Sequence, residues 1–142
     1  MPLDLDGLEM SFDVVAARGD ELVDDFYRRL FATAPAVEPL FAGTDLRRQR
    51  AMLLSALILV RKSLRDFDAI VPRLRELGAR HVRYGADPAH YPVVGEVLIA
   101  SMAAVAGDAW RPRYERAWAE AYEVIAATML EGAAAAELRD AA

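Results

Sequence analysis

Three polar side chains stand on stripes that are otherwise apolar: Tyr27, Gln49 and His81. His81 closes the stretch 72–81, whose inward face reads Leu74, Leu77, Gly78, His81, and this spacing puts the imidazole in line with the apolar side chains. It is one of two histidines in a chain with no cysteine. An imidazole in an oily interior, with no thiolate to compete, could be the single protein ligand of an iron porphyrin. From position alone, the commoner reading is a core histidine satisfied by a backbone carbonyl. Gln49 lies three residues after Leu46 and four before Leu53, and a buried amide must find hydrogen-bond partners or destabilise the fold. Tyr27 lies four residues after Val23 and three before Leu30, so its hydroxyl needs a partner too. Phe41 sits in an irregular stretch just before a glycine turn, where a large aromatic anchors something. Each has a plainer explanation: tyrosines reach solvent, glutamines turn outward and loop aromatics pin connections.

The elements that must position these residues are helical nearly throughout. Leu8, Phe12 and Val15 mark a first amphipathic helix ending near Arg18-Gly19, and Asp20 is the expected cap of a second, which Pro35 stops. The segment 36–41 leads to a Gly43-Thr44-Asp45 turn, and a long helix is expected from about Asp45 to Leu64. The His81 helix ends at Gly85, and a loop follows that holds His90 exposed to solvent. Tyr91-Pro92 then opens another long helix, proline being favoured in a first turn. A last helix starts near Pro112, and the alanine-rich tail from about residue 132 is expected to be frayed or only partly docked. Six to eight helices of unequal length, without a repeat, exclude a simple four-helix bundle and a solenoid.

The composition narrows the class. A chain of 142 residues is expected to fold as one domain with a substantial core. No apolar run approaches the ~18 residues of a membrane span, so membrane insertion is not expected. The acidic start lacks the basic residues of a signal peptide, and a cytoplasmic protein is expected. Without cysteine, iron–sulfur clusters and thiolate zinc sites are excluded. A net charge of −5 argues against nucleic acid as a partner. Arg47, Arg48 and Arg50 form the densest basic cluster, either a solvated helix face or a contact for carboxylates at a cofactor's edge.

Taken in order along the chain, these residues resemble the bacterial single-domain globins and the haem domain of flavohaemoglobins. The resemblance covers about residues 7–131. It rests on Phe26-Tyr27-Arg28-Arg29-Leu30-Phe31, Pro39-Leu40-Phe41, Gln49-Arg50 with Leu53, Arg80-His81, His90-Tyr91-Pro92-Val93-Val94-Gly95-Glu96, and Trp118 with Ala121-Tyr122. The separations carry more weight than the pieces, notably Gln49 lying 32 residues before His81 and Tyr91 ten after it. The resemblance implies an all-α globin fold around haem b. It makes His81 the iron ligand, Tyr27 and Gln49 the distal donors, Leu53 the distal leucine and Phe41 the phenylalanine packed on the porphyrin. Val94 and Leu98 fall where contacts to the haem are expected, Tyr91 matches the tyrosine that orients the proximal histidine, and Arg80 or Arg83 could reach the propionates.

The function so implied is reversible binding of oxygen and other diatomic gases, because one protein ligand leaves the opposite coordination position open. Two donors facing that position favour retention over delivery. That arrangement also suits the dioxygenation of nitric oxide, the enzymatic alternative; the chain ends about ten residues past its last helix, so the electron donor is expected to be a separate reductase. A gas sensor or a haem-less interaction module is a third class. One departure stands out. The acid of the proximal His–Tyr–Glu relay should fall near Ala133, and the nearest carboxylate, Glu131, needs a shifted helix end to replace it. Without that acid the imidazole donates less charge to iron.

Overall fold

A computed structural model describes residues 2–141. The first helix, α1 (Leu5–Ala16), is capped by Asp4, whose carboxylate accepts from the Gly7 N–H at 3.0 Å. The second, α2 (Gly19–Thr33), starts earlier than a cap at Asp20 requires. Arg18 occupies the cap position without a side-chain hydrogen bond, and Asp20 sits in the first turn, where its charge complements the helix dipole. Pro35 ends α2, and residues Pro35–Phe41 form a short 3₁₀ stretch. The Asp45 carboxylate then caps α3 (Leu46–Lys62) by accepting from the Arg47 and Arg48 N–H groups, so Asp45 stands just outside the helix. A second 3₁₀ stretch, Leu64–Ile70, kinks at Asp66 and leads into α4 (Val71–Arg83). Gly85, at φ +89°, lets the chain leave α4 in a left-handed turn.

His90 is the first residue of α5 (His90–Ala106) and is half-buried, which corrects its expected place in an exposed loop. The last helix, α6 (Pro112–Ala141), runs through the alanine-rich tail. Gly132, Ala133 and Ala136 are buried, so the expected fraying gives way to a docked helix that is exposed from Glu137 onward. The described residues contain no strand. The segment His90–Ala109, with mean hydropathy 1.4, is long and apolar enough to cross a bilayer, contrary to the sequence expectation. In the fold, Val97, Leu98 and Met102 of this segment lie in the core, where α5 packs on α2 and α6.

The helices pair unevenly. The core is built from α1, α2, α5 and α6 around Leu8, Phe12, Leu22, Met102 and Trp118, and the Trp118 indole N–H donates to Ser11 Oγ at 2.8 Å in its centre. On one flank α3 packs chiefly against α2; on the other, α4 packs chiefly against α6. The α4–α6 crossing is unusually close. A Cβ at Gly78 would run into the Met129 carbonyl, and one at Gly132 would run into the Arg75 carbonyl, so both backbones meet with no side chain between them.

Candidate haem pocket

Tyr27 faces inward from the middle of α2 and is almost fully buried. The Asp45 cap sets the first turn of α3 so that half-buried Gln49 reaches it, and the Gln49 amide donates from Nε2 to the Tyr27 hydroxyl at 3.1 Å. That bond uses the phenol as an acceptor. Its own O–H has no acceptor among the described residues, so the proton is free to point at something else. Burial pushes the Tyr27 phenol above its ordinary pKa, against smaller opposing effects of the Gln49 hydrogen bond and the Arg50 charge, and keeps it protonated as a donor. Phe41 meets Tyr27 edge-on at 5.7 Å and Phe31 at 5.4 Å, so the loop aromatic anchors this corner. Leu53, one turn beyond Gln49, is half-buried against the core.

His81 lies near the end of α4, half-buried, with Nδ1 2.7 Å from the Leu77 carbonyl. A carbonyl only accepts, so Nδ1 carries the proton and the Nε2 lone pair is left for a ligand. Burial lowers the imidazole pKa, the Leu77 hydrogen bond opposes that, and the Arg80 charge adds to it; the neutral, ligating form is favoured. The exposed ring of Tyr84 meets the imidazole edge-on at 5.5 Å. His90 is the opposite case: its Nδ1 accepts from the Asp87 N–H at 3.0 Å, which places the proton on Nε2 and leaves no free lone pair in the neutral ring. His81 is thus a histidine satisfied by a backbone carbonyl, with its other ring nitrogen kept available.

The other candidate residues have partners of their own or none. Tyr91 is buried, but its hydroxyl has no partner among the described residues and makes no bond to His81; its backbone N–H donates to the Pro88 carbonyl at 3.2 Å and its carbonyl accepts from the Tyr122 hydroxyl at 2.7 Å. Glu131 points outward to Arg75 at 3.4 Å, both side chains exposed, and Ala133 is buried. Arg80, expected at a propionate, is ion-paired with Glu76 at 2.7 Å along its own helix. Arg50 approaches Asp24 at 3.2 Å. Val94 is half-buried and Leu98 buried on α5, both packed with the core. Sequence reasoning missed the Leu77 carbonyl and the Tyr84 contact; the first has no side-chain signal, and the second follows from the three-residue spacing after His81.

These residues fit an iron porphyrin. The donor set is one neutral imidazole with Nε2 free on α4 and, on α2, a phenol with an uncommitted proton. Between the flanks, Leu53 of α3, Leu77 of α4 and Val93 and Val94 of α5 are apolar yet only partly buried. Half-buried apolar side chains on three helices that do not pack chiefly on one another are what a flat apolar group would cover.

Comparison with known proteins agrees. Residues 24–129 match the family model Globin. A flavohemoprotein of Bacillus subtilis is 31% identical over 121 residues, covering 84% of this chain and 30% of that protein. One of Bacillus cereus is 33% identical over 111 residues, 77% of this chain and 27% of that one. The chain thus spans about 30% of the length of the flavohemoproteins it matches. Among solved structures, an engineered carbene transferase from Rhodothermus marinus superposes with TM-score 0.88 at 25% identity, over 97% of this chain and 96% of that one. A bacterial globin from Campylobacter jejuni, at 21% identity and TM-score 0.79 over 96% of both chains, shares the fold. The family model spans most of the chain, and relatives above 30% identity cover more than three quarters of it: the chain belongs to the globin family.

Proposed function

We propose that this globin binds haem b through His81 and reversibly binds oxygen. When bound, the haem supplies an iron centre at which a diatomic gas is held. The observation that carries the reading is the uncommitted Tyr27 proton, left over because the phenol oxygen accepts from the Gln49 amide. A preorganised donor in a water-poor pocket stabilises negative charge better than a mobile one, because it needs no reorganisation. Leu53, Phe41, Val94 and Leu98 would exclude water around the group, and His81 would be held in one tautomer by the Leu77 carbonyl. A carbonyl acceptor pulls the Nδ1 proton less strongly than a carboxylate does, so His81 remains a neutral, moderately basic ligand. This favours gas retention over oxidative chemistry. The test is an absorption spectrum of the purified chain with added hemin, in ferric, ferrous and air-equilibrated forms. A Soret band that shifts reversibly with oxygen is expected; no Soret band after hemin addition would remove the reading.

The similarity to flavohemoproteins favours a second reading, nitric oxide dioxygenation supported by an electron-donating reductase, in the reducing cytoplasm where a chain without cysteine is at home. Sustained nitrate production from nitric oxide and oxygen, in the presence of an added electron donor, is its expected signature. A single turnover that never repeats would leave oxygen binding alone.

A further inference from the structure

We infer that the groove between the C-terminal halves of α4 and α6 binds a small organic polyanion, one carrying two or more phosphate or carboxylate groups. The groove encloses about 620 Å³, within the range of small-molecule sites. Its depth follows from the glycine crossing. Ala79, Gly132 and Ala135 form a floor of short side chains, and long side chains rise on both sides. Four of those are arginines: Arg75, Arg80 and Arg83 from α4, and Arg139 from α6. Two carboxylates also line it, and each is already neutralised, Glu76 by Arg80 at 2.7 Å and Glu131 by Arg75 at 3.4 Å. These pairs hold two guanidiniums in place while leaving most of their N–H donors unused.

Arg83 and Arg139 have no carboxylate partner among the described residues. They come from opposite walls, so a ligand with two anionic groups can engage one on each side, whereas a single anion engages only one. Four arginines against two glutamates make the groove net positive by two, on a chain whose net charge is −5. A polyanion is therefore repelled by the molecule as a whole and attracted here. Planar guanidinium forks match phosphate and carboxylate oxygens in pairs, which gives the site its chemical class.

The test is calorimetric titration of the full chain at low ionic strength with pyrophosphate and with citrate, using inorganic phosphate as the single-group comparison. Saturable one-to-one binding of pyrophosphate or citrate is expected, at least tenfold tighter than phosphate. Pyrophosphate alone identifies a phosphate ester as the natural class, and citrate alone a polycarboxylate. The double variant Arg83→Ser/Arg139→Ser should weaken that binding at least tenfold. The variant Arg111→Ser/Arg116→Ser, at the other end of α6, should leave it unchanged, with thermal melts confirming that both pairs fold. No saturable binding of either probe, or equal weakening by both double variants, would overturn the proposal.

Discussion

The two walls of the proposed haem pocket are built on different principles. On the distal wall, side chains touch side chains: the Gln49 amide, the Tyr27 phenol and the rings of Phe31 and Phe41 form one interlocked group between α2, α3 and the 3₁₀ stretch. On the proximal wall, backbone does the positioning. The Leu77 carbonyl fixes His81, and the α4 backbone rests directly on that of α6 at Gly78 and Gly132. Tyr91, the residue expected to orient His81, has a hydroxyl with no partner among the described residues. In the proposed haem pocket, chemical tuning would therefore sit on the distal wall, and the proximal wall would supply a fixed ligand with little to adjust.

Breaking the proximal wall should have the largest effect. Gly78→Val forces a branched side chain into the Met129 backbone, which cannot move aside without separating the helices. A loss of roughly 3 kcal/mol or more is expected, by denaturant or thermal unfolding. A melting curve like that of the parent would mean that the crossing is looser than described. Next, His81→Ala should abolish stable haem uptake in a hemin titration, whereas His90→Ala should bind haem as the parent does. Equal loss in both would show that the wrong histidine has been assigned.

A matched pair of substitutions separates the walls directly. Tyr27→Phe removes a distal donor and should speed oxygen release by roughly tenfold, the equivalent of one hydrogen bond worth about 1.4 kcal/mol. Tyr91→Phe removes a hydroxyl that satisfies nothing. It should leave oxygen release unchanged and leave stability unaltered or raise it by about 1 kcal/mol, since a buried unpaired hydroxyl carries a desolvation cost. Stopped-flow release of oxygen and thermal melts read both. If Tyr91→Phe changed the release rate as much as Tyr27→Phe, the contrast between the walls would collapse.

The smallest effect is on alkaline pH. Burial raises the pKa of both phenols; for Tyr27 the Gln49 hydrogen bond and Arg50 oppose it, and for Tyr91 no opposing cause acts. A group whose folded pKa is raised contributes stability that is full below its unfolded value, about 10 for tyrosine, and is lost as pH rises through the folded value. Stability should therefore fall above pH 10 in the parent, and less steeply in each Tyr→Phe variant. Tyrosinate absorbance difference spectra should place both ionisations above 10. A phenol titrating at its free value would be solvent-exposed.

The helices were legible in the sequence because apolar periodicity and caps such as Asp45 are local signals, and Tyr27 and Gln49 stood out because polar residues on apolar stripes need partners. The start of α2 misled because Asp20 is a good cap in isolation, yet the chain turns at Arg18 without any side-chain bond. The tail misled because alanine shows no stripe; it docks through Ala133 and Ala136, which carry almost no periodic signal. His81 was legible as a residue but its partner was not, since every helical position has a carbonyl four residues back and nothing in the sequence marks the one that is used. The orphaned Tyr91 hydroxyl depends on what is missing in three dimensions, which no pattern along the chain records.

The glycine crossing has a mechanical meaning. Two helices separated by side chains can slide, because rotamers absorb the displacement; two helices in backbone contact have no such layer and move as one beam. Any pull on His81 along α4 is passed to the thirty residues of α6, and through them to the core around Trp118, without being damped at the joint. The histidine is thus mounted on a helix braced backbone to backbone, so strain created at its ring nitrogen is resisted rather than relayed as a local shift.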